Sequence, residues 1–349
     1  MGAVVVVGFL PAIGSSLWSF NATGQAERLY AHARWYQKAG HRVDWFTYHP
    51  RDMAWPFGTR VRVPSGLRGA LLAPLRDPAW GHVEKFRALN LLGALPAVIA
   101  RWRYETPFVV SVGADYEAIA RIHGRAAWKW RWLQRLVIPS ASTVLVSNPD
   151  LAARLRRQFP YAHIADHLNW VDQSLFRPIE TGVRWKRSVP RVYFVGRLVK
   201  EKNLVTAARA IQRIGARFVC VGDGPMADEV RRAGAEVVGV QPWPSLPKWL
   251  ADAEAFIMPS LSEGQPKALL EAMACGVPCL VAEDIKGLAN WPVLRADAND
   301  TSALSGRVWD ILADEYEARQ LGEIGRRFVT ERHAAEPLMR AEIDMVRAA

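Results

Sequence analysis

The sequence predicts an α/β protein of two doubly wound domains that face each other across a cleft. Three observations predict it. Its 349 residues are enough for about two domains at roughly 150 residues each. Short β-rich runs alternate with longer stretches of helical period along the chain. Several of those runs are apolar at successive positions instead of alternating, as parallel strands covered on both faces require. Half of the residues are hydrophobic and 23% are charged, a globular balance, and no repeat or low-complexity tract interrupts it.

In the first half, strands are expected near Ala3–Val7, Val43–Phe46, Ala70–Ala73, Phe108–Val112 and Thr143–Ser147. In the second they are expected near Arg191–Val195, Arg217–Val221, Glu236–Val238, Ala255–Met258 and Pro278–Val281. The stretch from Phe176 to Pro190 is bounded by prolines, charged and without a period, and reads as a linker. The chain is thereby divided into a first domain, 1–178, a second, 179–335, and a last helix, 336–349, expected to pack back on the first domain. Ligands of open parallel sheets bind beyond the carboxyl ends of the strands, so the cleft between two such sheets is the expected site.

The formal net charge is +11, and it is uneven. Residues 1–180 hold 22 Lys and Arg against 12 Asp and Glu, whereas 181–349 hold 23 against 22. A basic first half favours anionic partners: phosphorylated ligands, an anionic membrane surface or nucleic acid. Three cysteines, Cys220, Cys275 and Cys279, are too few for a disulfide framework. The C-x3-C pair has no second Cys or His pair nearby to complete a zinc site, so no metal is expected. The first residues lack a basic n-region, and no apolar run approaches the ~20 residues of a spanning helix. The expected location is cytoplasmic, with peripheral contact to the inner membrane face. That contact is expected at Arg121 to Val137, where Trp128, Trp130 and Trp132 stand among Arg125, Lys129, Arg131 and Arg135.

Four stretches carry chemistry. The first runs from Pro259 to Gly276. A loop with Glu263, Gly264 and Gln265 leads to a helix starting near Pro266 and ending before Gly276, with Glu271 inside it. The free N–H groups at its start can hold an anion, and the two carboxylates can accept hydrogen bonds from opposite ends of a bound diphosphate ester. The second stretch, Phe194 to Asn203, is a strand, a glycine turn and two cations, Arg197 and Lys202. A guanidinium fork and an ammonium point charge together neutralise phosphate oxygens. The third, Val221 to Ala227, matches G-x-G-x-x-A after a strand, but the next strand ends without the acid that a dinucleotide site needs. The fourth, Val7 to Ser16, is a strand followed by a small-residue loop containing Gly14.

In their order and spacing the three C-terminal stretches resemble the retaining GT-B glycosyltransferases of family 4, glycosyl transferases group 1. The resemblance covers most of the chain and is most specific at Glu263-x7-Glu271, with Glu-Gly-x-Pro before it and Glu-Ala-Met-Ala-Cys-Gly closing it, together with Gly196-Arg197-x4-Lys202. It also takes in Ala39-Gly40-His41-Arg42-Val43 and Asn169-Trp170-Val171-Asp172. It implies a GT-B fold of two Rossmann-like domains. It further implies a metal-independent hexosyltransferase whose substrate, not cofactor, is a nucleotide-diphosphate sugar, and whose partner is a glycan or lipid-linked acceptor in surface polysaccharide or glycolipid synthesis. By position, Arg197 and Lys202 would bind the donor diphosphate, Glu263 the donor sugar and Glu271 the ribose. Backbone amides of Gly264 and Gln265 would face sugar or phosphate, Val240 and Gln241 would lie against the base, and Gly14 would approach the diphosphate from the other domain.

The sequence departs from the family pattern at three places. The run Val110 to Tyr116 lacks the histidine often found after the fourth strand, and its Asp115 is read as an acceptor-orienting carboxylate or a helix cap. Gly14-Ser15 stands where Gly-Gly is common, and Gln265 where an apolar residue is common. Two other readings are compatible with the composition: a GT-B relative that epimerises or hydrolyses a nucleotide sugar, and a basic nucleic-acid-binding protein. The basic half carries no recognition element for DNA or RNA, so nucleic acid is not an expected partner.

Overall fold

The computed structural model describes residues 5–10, 25–47, 60–63, 66–179 and 184–349. Gly14 and its loop therefore lie outside the described residues, as does part of the expected linker.

Two parallel sheets organise the chain. The first contains β1 (Val6–Leu10), β2 (Arg42–Thr47), β3 (Arg60–Arg62), β4 (Lys85–Ala88), β5 (Phe108–Val112), β6 (Thr143–Val146) and β7 (Ile164–Asp166), in the order β3-β2-β1-β4-β5-β6-β7. The second contains β8 (Arg191–Val195), β9 (Arg217–Val221), β10 (Glu236–Gly239), β11 (Ala255–Met258), β12 (Cys279–Ala282) and β13 (Leu294–Ala296), in the order β10-β9-β8-β11-β12-β13. Strand order reverses beside β1 in one sheet and beside β8 in the other, which opens a crevice at each reversal.

The intervening helices are α1 (Gln25–Lys38), α2 (Gly66–Arg76), α3 (Leu95–Tyr104), α4 (Tyr116–Ile122), α5 (Ala127–Val137) and α6 (Pro149–Gln158) in the first half. In the second they are α7 (Leu204–Arg213), α8 (Ala227–Arg232), α9 (Leu246–Ala251), α10 (Lys267–Ala274) and α11 (Thr301–Ala313), followed by α12 (Glu315–Arg332) and α13 (Ala335–Ala348). The helices form because their apolar residues recur at helical spacing. In α7, Leu204, Ala207, Ala208 and Ile211 make one buried stripe. Each buried Leu or Ile of this kind stabilises the fold by about 1.5–3 kcal/mol.

The expected strand at Ala70–Ala73 is instead the middle of α2. Ala70 and Ala73 are buried while Leu72 and Leu75 are exposed, a spacing of three that belongs to a helix and not to a strand. The strand beside β1 is β4, whose Lys-Phe-Arg-Ala composition hid it. Both of its cations are matched by the last helix. Lys85 Nζ donates to the Arg347 carbonyl at 2.5 Å, and Arg87 Nε donates to Glu342 Oε1 at 2.8 Å. The short edge strands β3, β7 and β13, of three residues each, were likewise not expected.

The chain crosses between the halves after β7 and again after α12, and the two crossings bind each other. Val171 N–H donates to the His333 carbonyl at 2.9 Å, and His333 Nδ1 lies 2.7 Å from the Asn169 carbonyl. From there α13 runs onto the first half, packing against α1. Among the described residues no helix is long and apolar enough to cross a membrane.

Candidate functional site

A cleft of 390 Å³ lies between the sheets. Many of its lining residues sit just beyond strand carboxyl ends: Leu89 after β4, Gly113 after β5, His167 after β7, Gly196 after β8, Gly222 after β9 and Val240 after β10. Parallel pairing throughout places all of these ends on the facing edges.

Six of the residues singled out in the sequence meet here: Arg197, Lys202, Val240, Gln241, Glu263 and Gln265. Lys202 ends a tight 3-10 turn, Lys200–Lys202, which Asn203 closes in the left-handed region at φ 52°. Its ammonium is ion-paired with Glu263. Arg197 is half exposed, with Nη2 3.6 Å from Glu201 Oε1. Glu201 is buried and ties this loop to its surroundings. Its carbonyl accepts from Leu261 N–H at 2.8 Å, and its Oε2 lies 2.6 Å from His123 Nε2 of the other half. The loop that carries the cations is thus fixed both to the Glu263 loop and to the first domain.

Gly264 sits where the halves touch. A Cβ there would fall 1.9 Å from the Gly113 carbonyl oxygen, so only glycine allows the contact. Gln265 does not point its side chain freely into the cleft. Its Oε1 accepts from Asn169 N–H, and its carbonyl accepts from Asn169 Nδ2 at 2.6 Å. Glu271 is buried behind the cleft and does not line it; its Oε1 accepts from Trp243 Nε1 at 2.9 Å. Trp243 directly follows Val240-Gln241-Pro242, so Glu271 braces the segment expected at the base. Asp115 caps α4 through Glu117 N–H and Ala118 N–H, both at 3.1 Å, and pairs with Arg154 at 2.7 Å. It lines an adjoining cavity instead of the cleft. The third glycine motif is structural: a Cβ on Gly222 would fall 1.9 Å from the Gly196 carbonyl, so the glycine lets two strand-end loops pack together.

The floor of the cleft was not foreseen. It holds His32, Arg87, Ser111, His167 and Glu342, while Lys267 adds a third cation near Arg197 and Lys202. Glu342 is fully buried. Its Oε1 accepts from Arg87 Nε at 2.8 Å, Tyr36 OH at 2.7 Å and His32 Nε2 at 2.7 Å, and His167 Nε2 lies 2.8 Å from its Oε2. Burial alone would raise its pKa; the Arg87 charge and the two imidazoles outweigh that and hold it well below the usual carboxylate range. Burial lowers the pKa of His32 against the pull of Glu342, so His32 donates as a neutral ring to an ionised carboxylate. Arg87 spends its other donors on the Ala88 carbonyl at 2.6 Å and Ser111 Oγ at 2.7 Å. Tyr116 closes one wall, stacked on Trp130 at 4.6 Å, and burial pushes its hydroxyl up to about 12.

Among the described residues no group of three His, Cys, Asp or Glu side chains is placed to hold a metal ion. The site offers cations, glycine-lined loops and a helix start to an anionic ligand, together with two ion-paired carboxylates, Glu263 and Glu342.

Comparison with known proteins agrees with this geometry. Residues 189–314 match the family described as Glycosyl transferases group 1, and residues 23–165 match the Glycosyl transferase 4-like domain. Alpha-maltose-1-phosphate synthase of Mycolicibacterium smegmatis is 28% identical over 238 residues, covering 56% of this chain and 60% of that protein. The chain spans between a quarter and 60% of the length of the first curated relatives it matches. Sucrose-phosphate synthase from Thermosynechococcus elongatus superimposes with a TM-score of 0.86 at 18% identity, covering 99% of this chain and 98% of that one. Anabaena Alr3699/HepE in complex with UDP-glucose gives a TM-score of 0.80 at 14% identity, covering 99% and 100%. At these identities the likeness to solved structures establishes the fold, which is GT-B.

Proposed function

Because the chain belongs to the group 1 glycosyl transferases, we propose that it moves a hexose-type sugar from a nucleotide-diphosphate donor to a glycan or lipid-linked acceptor, with retention at the anomeric carbon. The observation that carries this reading is the meeting of Arg197, Lys202 and Lys267 with Glu263 in one interdomain cleft. The bond from the anomeric carbon to the phosphate oxygen breaks, and negative charge grows on the departing diphosphate. Fixed cations beside that oxygen stabilise the charge most where it is largest, in the transition state. With those cations in place the reaction needs no bound metal. Glu263 accepts hydrogen bonds from sugar hydroxyls, and the acceptor hydroxyl attacks from the face the diphosphate leaves, passing its proton to the departing phosphate oxygen. A protein of the same fold crystallised with UDP-glucose supports a nucleotide-sugar donor.

Thermal unfolding with UDP, GDP, ADP and NAD tests the donor site. One nucleoside diphosphate is expected to stabilise the chain, by about 2.7 kcal/mol at a hundredfold excess over Kd. No response to any of them removes the reading.

The reading includes an anionic membrane surface, as a lipid-linked acceptor requires. On α5, Leu133 and Val137 face the core, whereas Trp128 and Trp132 are 65% and 61% exposed beside the exposed Arg125, Lys129, Arg131 and Arg135. Such a face buries indole in the interface and cations among anionic headgroups. Co-sedimentation with phosphatidylglycerol vesicles at low salt is expected and should weaken in a Trp128→Ala, Trp132→Ala double variant. Absence of wild-type binding ends the membrane part alone.

A further inference from the structure

A second cavity, also of 390 Å³, opens beside the cleft. Its walls are the starts of α4 and α6 on the first half and the loops after β11 and β12 on the second. Glu263 lines both cavities, and among the described residues no other side chain does so. A sugar transferase must bring an acceptor hydroxyl and the donor's anomeric carbon to one point, and the shared carboxylate marks where two bound molecules would meet. The size lies within the roughly 300–1,000 Å³ of small-ligand sites.

We propose that this cavity holds the acceptor and that the acceptor's reacting end is an uncharged saccharide. The proposal rests on the transferase reading and deepens it. The lining decides the charge. Asp115 is used up by two backbone N–H groups and by Arg154 at 2.7 Å, which makes a neutral pair. Arg154 Nη2 is buried without a hydrogen-bond partner and can donate to a ligand hydroxyl. Glu263 is neutralised by Lys202. Two further carboxylates, Asp150 and Asp284, stand exposed on the rim, and among the described residues no cation pairs with either. Among the described side chains the lining therefore carries surplus negative charge, on a chain whose net charge is +11. A uronate or sugar phosphate entering it would meet like charge, whereas hydroxyl groups find both acceptors and donors, Arg154 Nη2, Ser262 and Asn148 among the latter.

The experiment compares transfer from the nucleotide sugar whose nucleoside diphosphate binds, onto octyl glucoside, galactoside and mannoside and onto octyl glucuronide. It uses the wild type, Asp150→Lys and Asp284→Lys. At least one uncharged glycoside is expected to exceed the glucuronide by tenfold or more in kcat/KM. Each lysine variant should cut that ratio severalfold, through KM, while the Kd for the nucleoside diphosphate stays put. A wild-type preference for the glucuronide overturns the proposal, as does a ratio unmoved by both reversals or the rejection of all uncharged glycosides by a nucleotide-binding enzyme. Failure of any nucleotide to bind would instead fell the transferase reading beneath it.

Discussion

Lys202→Ala is expected to lower the rate of sugar transfer by about 10²–10³-fold, the range seen when one fixed donor to a developing oxyanion is removed. The fold should survive, with a loss of about 1 kcal/mol, because the side chain ends a short turn at the cleft and carries no part of the core. The ammonium is paired with Glu263, which raises a competing explanation: its role is to neutralise that carboxylate. An ammonium has three donors, so it can keep Glu263 and still reach a phosphate oxygen. The two roles separate in a double-mutant cycle with Glu263→Gln. If neutralising Glu263 is the whole role, removing the carboxylate's charge rescues Lys202→Ala. If the ammonium binds the diphosphate, the double variant is no better than the single and nucleotide affinity falls in both. Wild-type transfer by Lys202→Ala would dismiss the site as drawn.

The cations were legible because their motif is local. Gly196, Arg197 and Lys202 lie within one strand-turn unit, and the parallel pairing of β8 between β9 and β11 carries them to the cleft without help from distant sequence. Lys267 lies inside the Glu263-x7-Glu271 span, and a cation at the first position of a helix aimed at an anion has an evident use. The floor of the cleft was harder to read. Arg87 lies in a strand whose charges argued against a strand, and its partner is 255 residues away. One signal was available. In α13 the buried positions are Ala335, Met339, Glu342, Ile343 and Val346, so an acid interrupts an apolar stripe. A buried carboxylate must be matched by buried donors, and β4 contained the unexplained cation. The tie between Gln265 and Asn169 had no such signal, because either amide would have read equally well as a ligand contact.

Glu342→Ala is expected to destabilise the protein by about 3–5 kcal/mol, the cost of removing one partner from a buried ion pair. The loss comes from what remains. Arg87, at 1% exposure, keeps its charge without Glu342, and Tyr36 and His32 lose the bonds they made to that carboxylate. Against a total stability of about 5–15 kcal/mol this reaches a large share, so Glu342→Gln, which keeps an acceptor oxygen, is the variant to follow by denaturant unfolding. The pH dependence gives a separate check. The folded pKa of Glu342 is depressed, so its contribution is whole above the unfolded value near 4.5 and is lost as pH falls through the lower folded value. His32 is also depressed, from 6.5, so the unfolded chain binds its proton first and stability begins to decline as pH drops below 6.5. Both groups act in one direction: wild-type stability falls on acidification, first gently below 6.5 and then steeply below about 4.5. Glu342→Gln should shrink the steep limb to the part that Asp115 supplies and leave the gentle one, which His32, His41 and His333 share. A variant whose curve parallels the wild type throughout would mean that the carboxylate is not the counterion of Arg87. The same substitution bears on transfer, because α13 holds Arg87 and His32 where they line the cleft, and a shift of about 1 Å in a positioning group can cost roughly 10²-fold in rate.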